Sequence, residues 1–266
     1  MGENRLKLKI ACLQMDIVFG DPKENYQKAT RMIEKAATGR PDIIVLPELW
    51  TTGYDLTRLN EIADVDAVQT TAFLKLAAKT HQVHFVGGSV ANQGKTGVKN
   101  TMLVINKEGN LVHKYSKLHL FKLMDEHLYL EAGSEKGLFE LENCPFAGVI
   151  CYDIRFPEWI RSHTAKGAEA VFVVAEWPVP RLNHWRSLLL ARAIENQCYV
   201  IACNRTGDDP KSKFFGHSMI IDPWGEVIAE AGENEEIITA EINLDLVKET
   251  RKKIPVFDDR LPEFYK

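Results

Sequence analysis

The chain has 266 residues, of which 45% are hydrophobic, 26% charged and 9% aromatic, with a net charge of −4. This is ordinary globular composition, which excludes a disordered or collagen-like chain. Lysines and arginines are scattered without a run of five, so no nucleic-acid partner is expected.

The alternation of Leu6, Leu8 and Ile10, followed by Ala11–Leu13, predicts a buried strand over Leu6–Leu13. Asp21 and Pro22 form an N-cap and N1 pair opening a helix that runs to about Ala37, before Gly39. A short apolar strand, Ile43–Leu46, ends at Pro47–Glu48. Ala67–Thr80 has helical spacing, and Val83–Val90 reads as a strand with Gly87–Gly88 inside it. Thr101–Asn106 and Leu111–Tyr115 flank a Glu108–Gly109–Asn110 turn and predict a hairpin. Lys117–Ser134 has no clear period and reads as a long functional loop with a helical turn.

Further on, Phe146–Cys151, Ala170–Ala175 and Tyr199–Cys203 are predicted strands, alternating with helices at Pro157–Lys166 and Leu182–Asn196. Strands at His217–Asp222, Val227–Ala231 and Ile237–Ile242 precede a helix at Leu244–Lys252 and an aromatic tail. No linker, low-complexity segment or repeat interrupts the series. One layered α/β domain over residues 1–266 is expected, with a mixed sheet or two sheets covered by helices.

The apolar stretches are strand-sized, far short of the ~20 residues of a membrane span, so no membrane partner is expected. Met1–Lys9 lacks the apolar core of a signal peptide. The five cysteines (Cys12, Cys144, Cys151, Cys198, Cys203) are odd in number and form no CxxC pair. Free thiols in a reducing cytosol are therefore expected, with no zinc site. No phosphate loop or dinucleotide fingerprint is visible, and no cofactor is expected.

The strand ends carry the chemistry. They terminate in Glu48, in Cys151–Tyr152–Asp153, in Glu176–Trp177 and in Asn204–Arg205. In open α/β sheets ligands bind beyond the carboxyl ends of strands. Taken singly, each residue has a bland explanation: a buried inert thiol, a solvated strand end, a surface lysine at 117, a packed histidine at 119.

Three segments in order remove that ambiguity. IIVLPELWTTGY (Ile43–Tyr54), KYSKLHLF (Lys114–Phe121) and GVICYDIRFPE (Gly148–Glu158) resemble the signature segments of the nitrilase superfamily of carbon–nitrogen hydrolases. The resemblance continues to PVFDDRLPEFY and covers nearly the whole chain. It implies a single-domain α-β-β-α sandwich of two mixed β-sheets covered by helices, and a homodimer. The family's catalytic glutamate, lysine and cysteine map onto Glu48, Lys117 and Cys151. Its second glutamate maps onto Glu126, with Glu131 in the same loop as the alternative.

The chemistry explains these residue types. An amide is a poor electrophile, and a covalent route divides its hydrolysis into two easier steps. A thiol with pKa ~8.5 needs a base at neutral pH, and a carboxylate beside a second carboxylate has its pKa raised toward that duty. Lys117, with the Tyr152 backbone N–H, is implied as oxyanion stabiliser, and its charge favours the thiolate. His119 is then a supporting residue, not the base.

Tyr152 after the nucleophile resembles the amidase branches, where true nitrilases carry tryptophan. LPELWTTGY, the Met124–His127 segment and the tail resemble the omega-amidases, which hydrolyse the side-chain amide of 2-oxoglutaramate and similar acids. Such a small-molecule substrate carries a remote carboxylate, which calls for a further cation. Arg155 is the first candidate, with an ion pair to Asp153 or Glu158 as its structural alternative; Tyr54 and Trp177 would add a donor and an apolar wall. An N-carbamoyl amino acid amidohydrolase has the same catalytic residues. A catalytically idle member binding a metabolite or partner is the reading from another class.

Overall fold

A computed structural model of the chain describes residues 7–265; Leu6, expected to open the first strand, and the rest of Met1–Arg5 lie outside them. In chain order, β1 (Lys7–Gln14), α1 (Pro22–Ala37), β2 (Ile43–Val45), α2 (Leu59–Ile62) and β3 (Asp64–Val65) come first. Next are α3 (Val68–His81), β4 (His84–Gln93), β5 (Val98–Ile105), β6 (Leu111–Ser116) and the short α4 (Glu126–Tyr129). Then follow β7 (Leu138–Leu141), β8 (Cys144–Ile150), α5 (Pro157–Thr164), β9 (Ala170–Ala175), α6 (Leu182–Asn196) and β10 (Tyr199–Asn204). A ribbon of β11 (Thr206–Asp208) and β12 (Lys213–Phe215) precedes β13 (Met219–Ile221), β14 (Val227–Glu230), β15 (Glu236–Asn243) and α7 (Asp245–Lys253).

One sheet has the order β15-β1-β2-β4-β5-β6, with β3 paired to β4, and the other β14-β13-β10-β9-β8-β7. Both are mixed. The pairs β1–β2, β2–β4, β8–β9 and β9–β10 are parallel, and antiparallel strands flank them. The two-residue period of a strand sorts the side chains. Leu8, Ile10, Cys12, Ile43 and Val45 face the second sheet and join Phe146, Phe172 and Ile201 in one core. The intervening Ala11, Leu13, Ile44, Phe85 and Leu103 point the other way, onto Ala29, Met32 and Ile33 of α1 and Leu74 and Ala78 of α3. On the far side, Ile160 of α5 and Trp185, Leu189 and Ala193 of α6 cover the second sheet. The layer order is α-β-β-α. Strands β9 and β10 are buried along their whole length, as their unbroken apolar runs require.

Helix α1 begins as expected: the Asp21 side chain accepts from the Glu24 N–H at 3.0 Å, and Pro22 occupies the first turn. The structure differs from expectation where elements are very short. Strand β8 stops at Ile150, and Cys151–Arg155 form a 3₁₀ turn. The loop after Lys117 carries both a 3₁₀ turn (Lys122–Met124) and α4. Strands β3, β7, β11 and β12 have two to four residues each, too few for periodicity to register.

The glycine pair in β4 shapes the approach to Glu48. The β4–β5 register shifts between Val86 and Ser89, and Gly88 has φ +63°. A Cβ on Gly88 would lie 2.2 Å from the Pro47 carbonyl oxygen. This bulge leaves the Gly87 carbonyl to accept from Trp50 Nε1 (2.9 Å), and Ser89 Oγ to accept from the Leu49 N–H (2.9 Å). The Ser89 N–H donates to the Pro47 carbonyl (3.1 Å), so residues on both sides of Glu48 are fastened to β4. Gly88→Ala should therefore lower stability by about 2–4 kcal/mol, from the left-handed backbone and the clash together. Urea denaturation measures it; a midpoint equal to that of the parent protein would show that the bulge is dispensable.

Candidate active site

Four chain segments meet at the strand ends. Glu48 follows β2, Lys117 follows β6, Glu126 opens α4 and Cys151 follows β8. Glu48, Lys117 and Glu126 are each 0% exposed. Cys151 sits at φ +44° and Leu49, next to Glu48, at φ +40°. Non-glycine residues in this left-handed region are costly and cluster at functional sites.

The ammonium of Lys117 lies between two carboxylates, 2.9 Å from Glu48 Oε1 and 2.6 Å from Glu126 Oε1. Glu48 Oε1 also accepts from Asn100 Nδ2 (2.7 Å), and its Oε2 accepts from the Glu176 backbone N–H (2.8 Å). Glu126 Oε2 accepts from the Phe121 N–H at 2.7 Å. Both oxygens of each carboxylate are thus fixed. Glu131, the alternative second glutamate, is elsewhere: its carboxylate accepts from Thr96 Oγ1 at 2.7 Å.

Burial dominates the electrostatics. It pushes the Cys151 thiol well above its usual range, the Glu48 charge adds to that rise, and Lys117 opposes it without prevailing. Lys117 favours the thiolate, as expected, but burial and Glu48 outweigh it, in keeping with a thiol that needs a base. Burial also raises the Glu126 carboxyl, against the pull of Lys117. Burial acts downward on Lys117 itself, but the two glutamates outweigh it and hold the ammonium well above the ordinary lysine range.

Cys151 lines a small, narrow cavity together with Phe121, Tyr152, Arg155, Glu176, Trp177 and Arg181. Tyr152, Arg155 and Trp177 thus line the cavity beside Cys151. Tyr54 does not line it. Its hydroxyl donates to Glu126 Oε1 (2.5 Å) and lies 3.2 Å from Glu48 Oε1, so it braces the carboxylates. Asn204 is also set apart, since its amide bonds the Trp177 backbone and the Gly216 carbonyl.

Neither structural alternative for Arg155 is formed. Asp153 accepts instead from the Ile150 N–H (3.1 Å), Tyr115 hydroxyl (2.7 Å) and His119 N–H (3.0 Å), and its Oδ1 lies 2.7 Å from His119 Nδ1. The His119 ring stacks on Phe156 at 3.6 Å. His119 therefore ties the Lys117 loop to the Cys151 turn. Arg155 packs its guanidinium 4.6 Å from the Trp177 ring centroid and 3.3 Å from His184 Nδ1. Among the described residues it has no carboxylate partner.

Sequence reasoning missed Asn100 and Arg181, and it placed Glu176 at a strand end without giving it a role. An asparagine inside β5, just ahead of its apolar Met102–Ile105 run, was the available signal for Asn100, since strands disfavour it. Arg181 was hidden in an irregular segment, where nothing orients a side chain.

The fold and site define a class: a four-layer α/β sandwich with a buried thiol, ammonium and two carboxylates at its strand ends. The carbon–nitrogen hydrolase signature matches residues 9–252, and the chain belongs to that family. It is 57% identical over 260 residues to the 2-oxoglutaramate amidase of Bacillus subtilis (strain 168), covering 98% of this chain and 100% of that one. It is 39% identical to the omega-amidase YafV of Escherichia coli (strain K12), covering 95% and 96%. The crystal structure of XC1258 from Xanthomonas campestris, a CN-hydrolase superfamily protein with an arsenic adduct in its active site, superposes with a TM-score of 0.91. Identity there is 31%, over 96% of this chain and 98% of that one.

The carboxylate–ammonium–carboxylate cluster predicts a pH-dependent stability defect. Lys117→Met leaves two buried carboxyls facing each other, so folding must raise their pKa above the unfolded value. A raised folded-state pKa means stability present at low pH and lost as pH rises. The variant should match the parent near pH 4 and be about 3–5 kcal/mol weaker at pH 8. Urea midpoints at the two pH values test this; an equal deficit at both would contradict it.

Proposed function

We propose that the chain is an omega-amidase, hydrolysing the terminal amide of a small carboxylate-bearing substrate such as 2-oxoglutaramate to the acid and ammonia. The observation carrying this reading is the Cys151 thiol facing Glu48 in a cavity whose wall holds Arg155 without a carboxylate partner. The names of the relatives, 2-oxoglutaramate amidase and omega-amidase, support the substrate class. Residues 1–266 act as one catalytic domain in this reading.

Glu48 takes the thiol proton as Cys151 Sγ bonds the amide carbon. Two of the three Lys117 N–H groups are held by Glu48 and Glu126, which leaves the third for the oxyanion beside the Tyr152 backbone N–H. Collapse of the tetrahedral intermediate breaks the C–N bond while Glu48 returns the proton, and ammonia leaves. Glu48 then deprotonates water for attack on the thioester, the C–S bond breaks and the thiol is restored. Glu126 holds Lys117 in place. The protein works in the cytoplasm as a homodimer, for which the exposed Leu261, Phe264 and Tyr265 near the C-terminus offer apolar surface.

Ammonia release across omega-amides, N-carbamoyl amino acids and nitriles tests the reading. Omega-amides should be turned over fastest; preference for N-carbamoyl amino acids would favour the sister activity, and no turnover of any compound an idle binder. Cys151→Ala and Glu48→Gln should abolish turnover with the fold intact, and Lys117→Ala should lower kcat by about 10²–10³-fold or more. Mass spectrometry should find the acyl adduct on the Cys151 peptide. An active Cys151→Ala protein would sink the mechanism.

Arg155 and the substrate carboxylate should behave as one interaction. Converting that carboxylate to its methyl ester should cut kcat/KM by roughly 10²-fold. Arg155→Met should cut it similarly for the acid and much less for the ester. If the two losses simply add, Arg155 does not hold the carboxylate.

A further inference from the structure

Glu176 is a buried acid in the cavity to which the mechanism above gives no role. It follows β9 directly, is 0% exposed and lines the cavity beside Cys151. Its backbone N–H donates to Glu48 Oε2 at 2.8 Å, so its side chain starts next to the proposed proton donor to the leaving nitrogen. Oε2 accepts from Arg205 Nη1 at 3.1 Å. Arg205 is itself fully buried and anchored, donating from Nε to the Thr206 carbonyl (2.9 Å) and from Nη2 to the Ile17 carbonyl (2.8 Å). The carboxyl group is therefore fixed in orientation, and its Oε1 has no hydrogen-bond partner among the described residues.

A buried carboxyl oxygen without a donor is costly, and such exceptions in native proteins call for an explanation. A bound ligand supplies one. The N–H of a substrate that must lie beside Glu48 is that of the scissile amide. We propose that Glu176 Oε1 accepts one N–H of the substrate carboxamide, selecting primary amides over esters of the same acid. The inference rests on the amidase reading. Holding one N–H also turns the nitrogen lone pair of the tetrahedral intermediate, which must take the proton, toward Glu48.

Replacing Glu176 by Gln keeps the shape and introduces a conflict. Whichever way the amide turns, its NH₂ meets either Arg205 or the substrate nitrogen, both donors. Kinetics on a primary amide and the methyl ester of the same acyl group, altered only at the scissile position, provide the readout. Glu176→Gln should lower kcat/KM for the amide by roughly 10- to 100-fold and for the ester by a far smaller factor. Equal losses on both substrates would assign Glu176 a structural role and overturn the proposal.

A second measurement needs no variant. Burial pushes the Glu176 carboxyl up to about 8, while Arg205 pulls it down and Glu48 and Asp209 push it up. Cys151, Arg155 and Arg181 share the cavity. Below that pH, Oε1 carries a proton and presents a donor to the amide N–H; above it, Oε1 accepts. The wild-type ratio of amide to ester kcat/KM should rise with pH through about 8. Rates common to both substrates cancel in the ratio, and a flat ratio overturns the proposal. Wild-type protein that releases no ammonia from any amide would instead refute the amidase reading itself.

Discussion

An ammonium buried between two carboxylates is the constraint around which the site is arranged. Lys117 is 0% exposed, and its burial is tolerable only because Glu48 and Glu126 both lie within 3 Å. The cluster then demands further donors, since each carboxylate has two oxygens to satisfy in the absence of bulk water. Asn100, Tyr54 and the backbone N–H groups of Phe121 and Glu176 supply them from four separate segments. The cluster thereby fastens both sheets, and the loop carrying α4, to one point.

The fastening accounts for the strained backbone at Leu49 and Cys151. Strand β8 must end so that the Cys151 side chain reaches the cluster while its own backbone turns away, and φ +44° is the result. Asp153 holds that turn from behind, accepting from the Ile150 N–H and from Tyr115 and His119 on the β6 side. On the other sheet, Gly88 supplies a left-handed position at no steric cost, so that Pro47–Trp50 can lie against β4. Two strand ends are thus aimed at each other by local backbone exceptions, held in place by hydrogen bonds on either side.

Much of this was legible in the sequence, for identifiable reasons. Apolar periodicity and capping residues located α1, α3, α6 and the long central strands, since each has enough residues to display a period. The three signature segments located Glu48, Lys117 and Cys151, and the loop contained Glu126. What stayed hidden depends on contacts between distant segments. Tyr54 reads as a pocket donor until Glu126, 72 residues away, is seen to accept its hydrogen bond. The upward push on the Cys151 thiol comes from burial and from Glu48, neither visible in GVICYDIRFPE. Arg155 beside Asp153 and near Glu158 looks ready for a local ion pair, yet Asp153 is committed to Tyr115 and His119.

The cavity that results is electrically polarised. Glu48, Glu126 and Glu176 gather at the Cys151 end, whereas Arg155 and Arg181 line the same cavity without carboxylate partners among the described residues. In the proposed reading, a small acid bearing a neutral amide sets its charge at the arginines and its amide at the carboxyls. Reversal would move the anion away from the two unpaired arginines and toward acids that Lys117 and Arg205 already pair. The same polarity bears on turnover. Hydrolysis converts the neutral amide end into a second carboxylate, created beside Glu48 and Glu126 in a desolvated site. Substrate and product thus differ in charge at the end where Lys117 stands between Glu48 and Glu126, and the new negative charge meets one ammonium against two carboxylates.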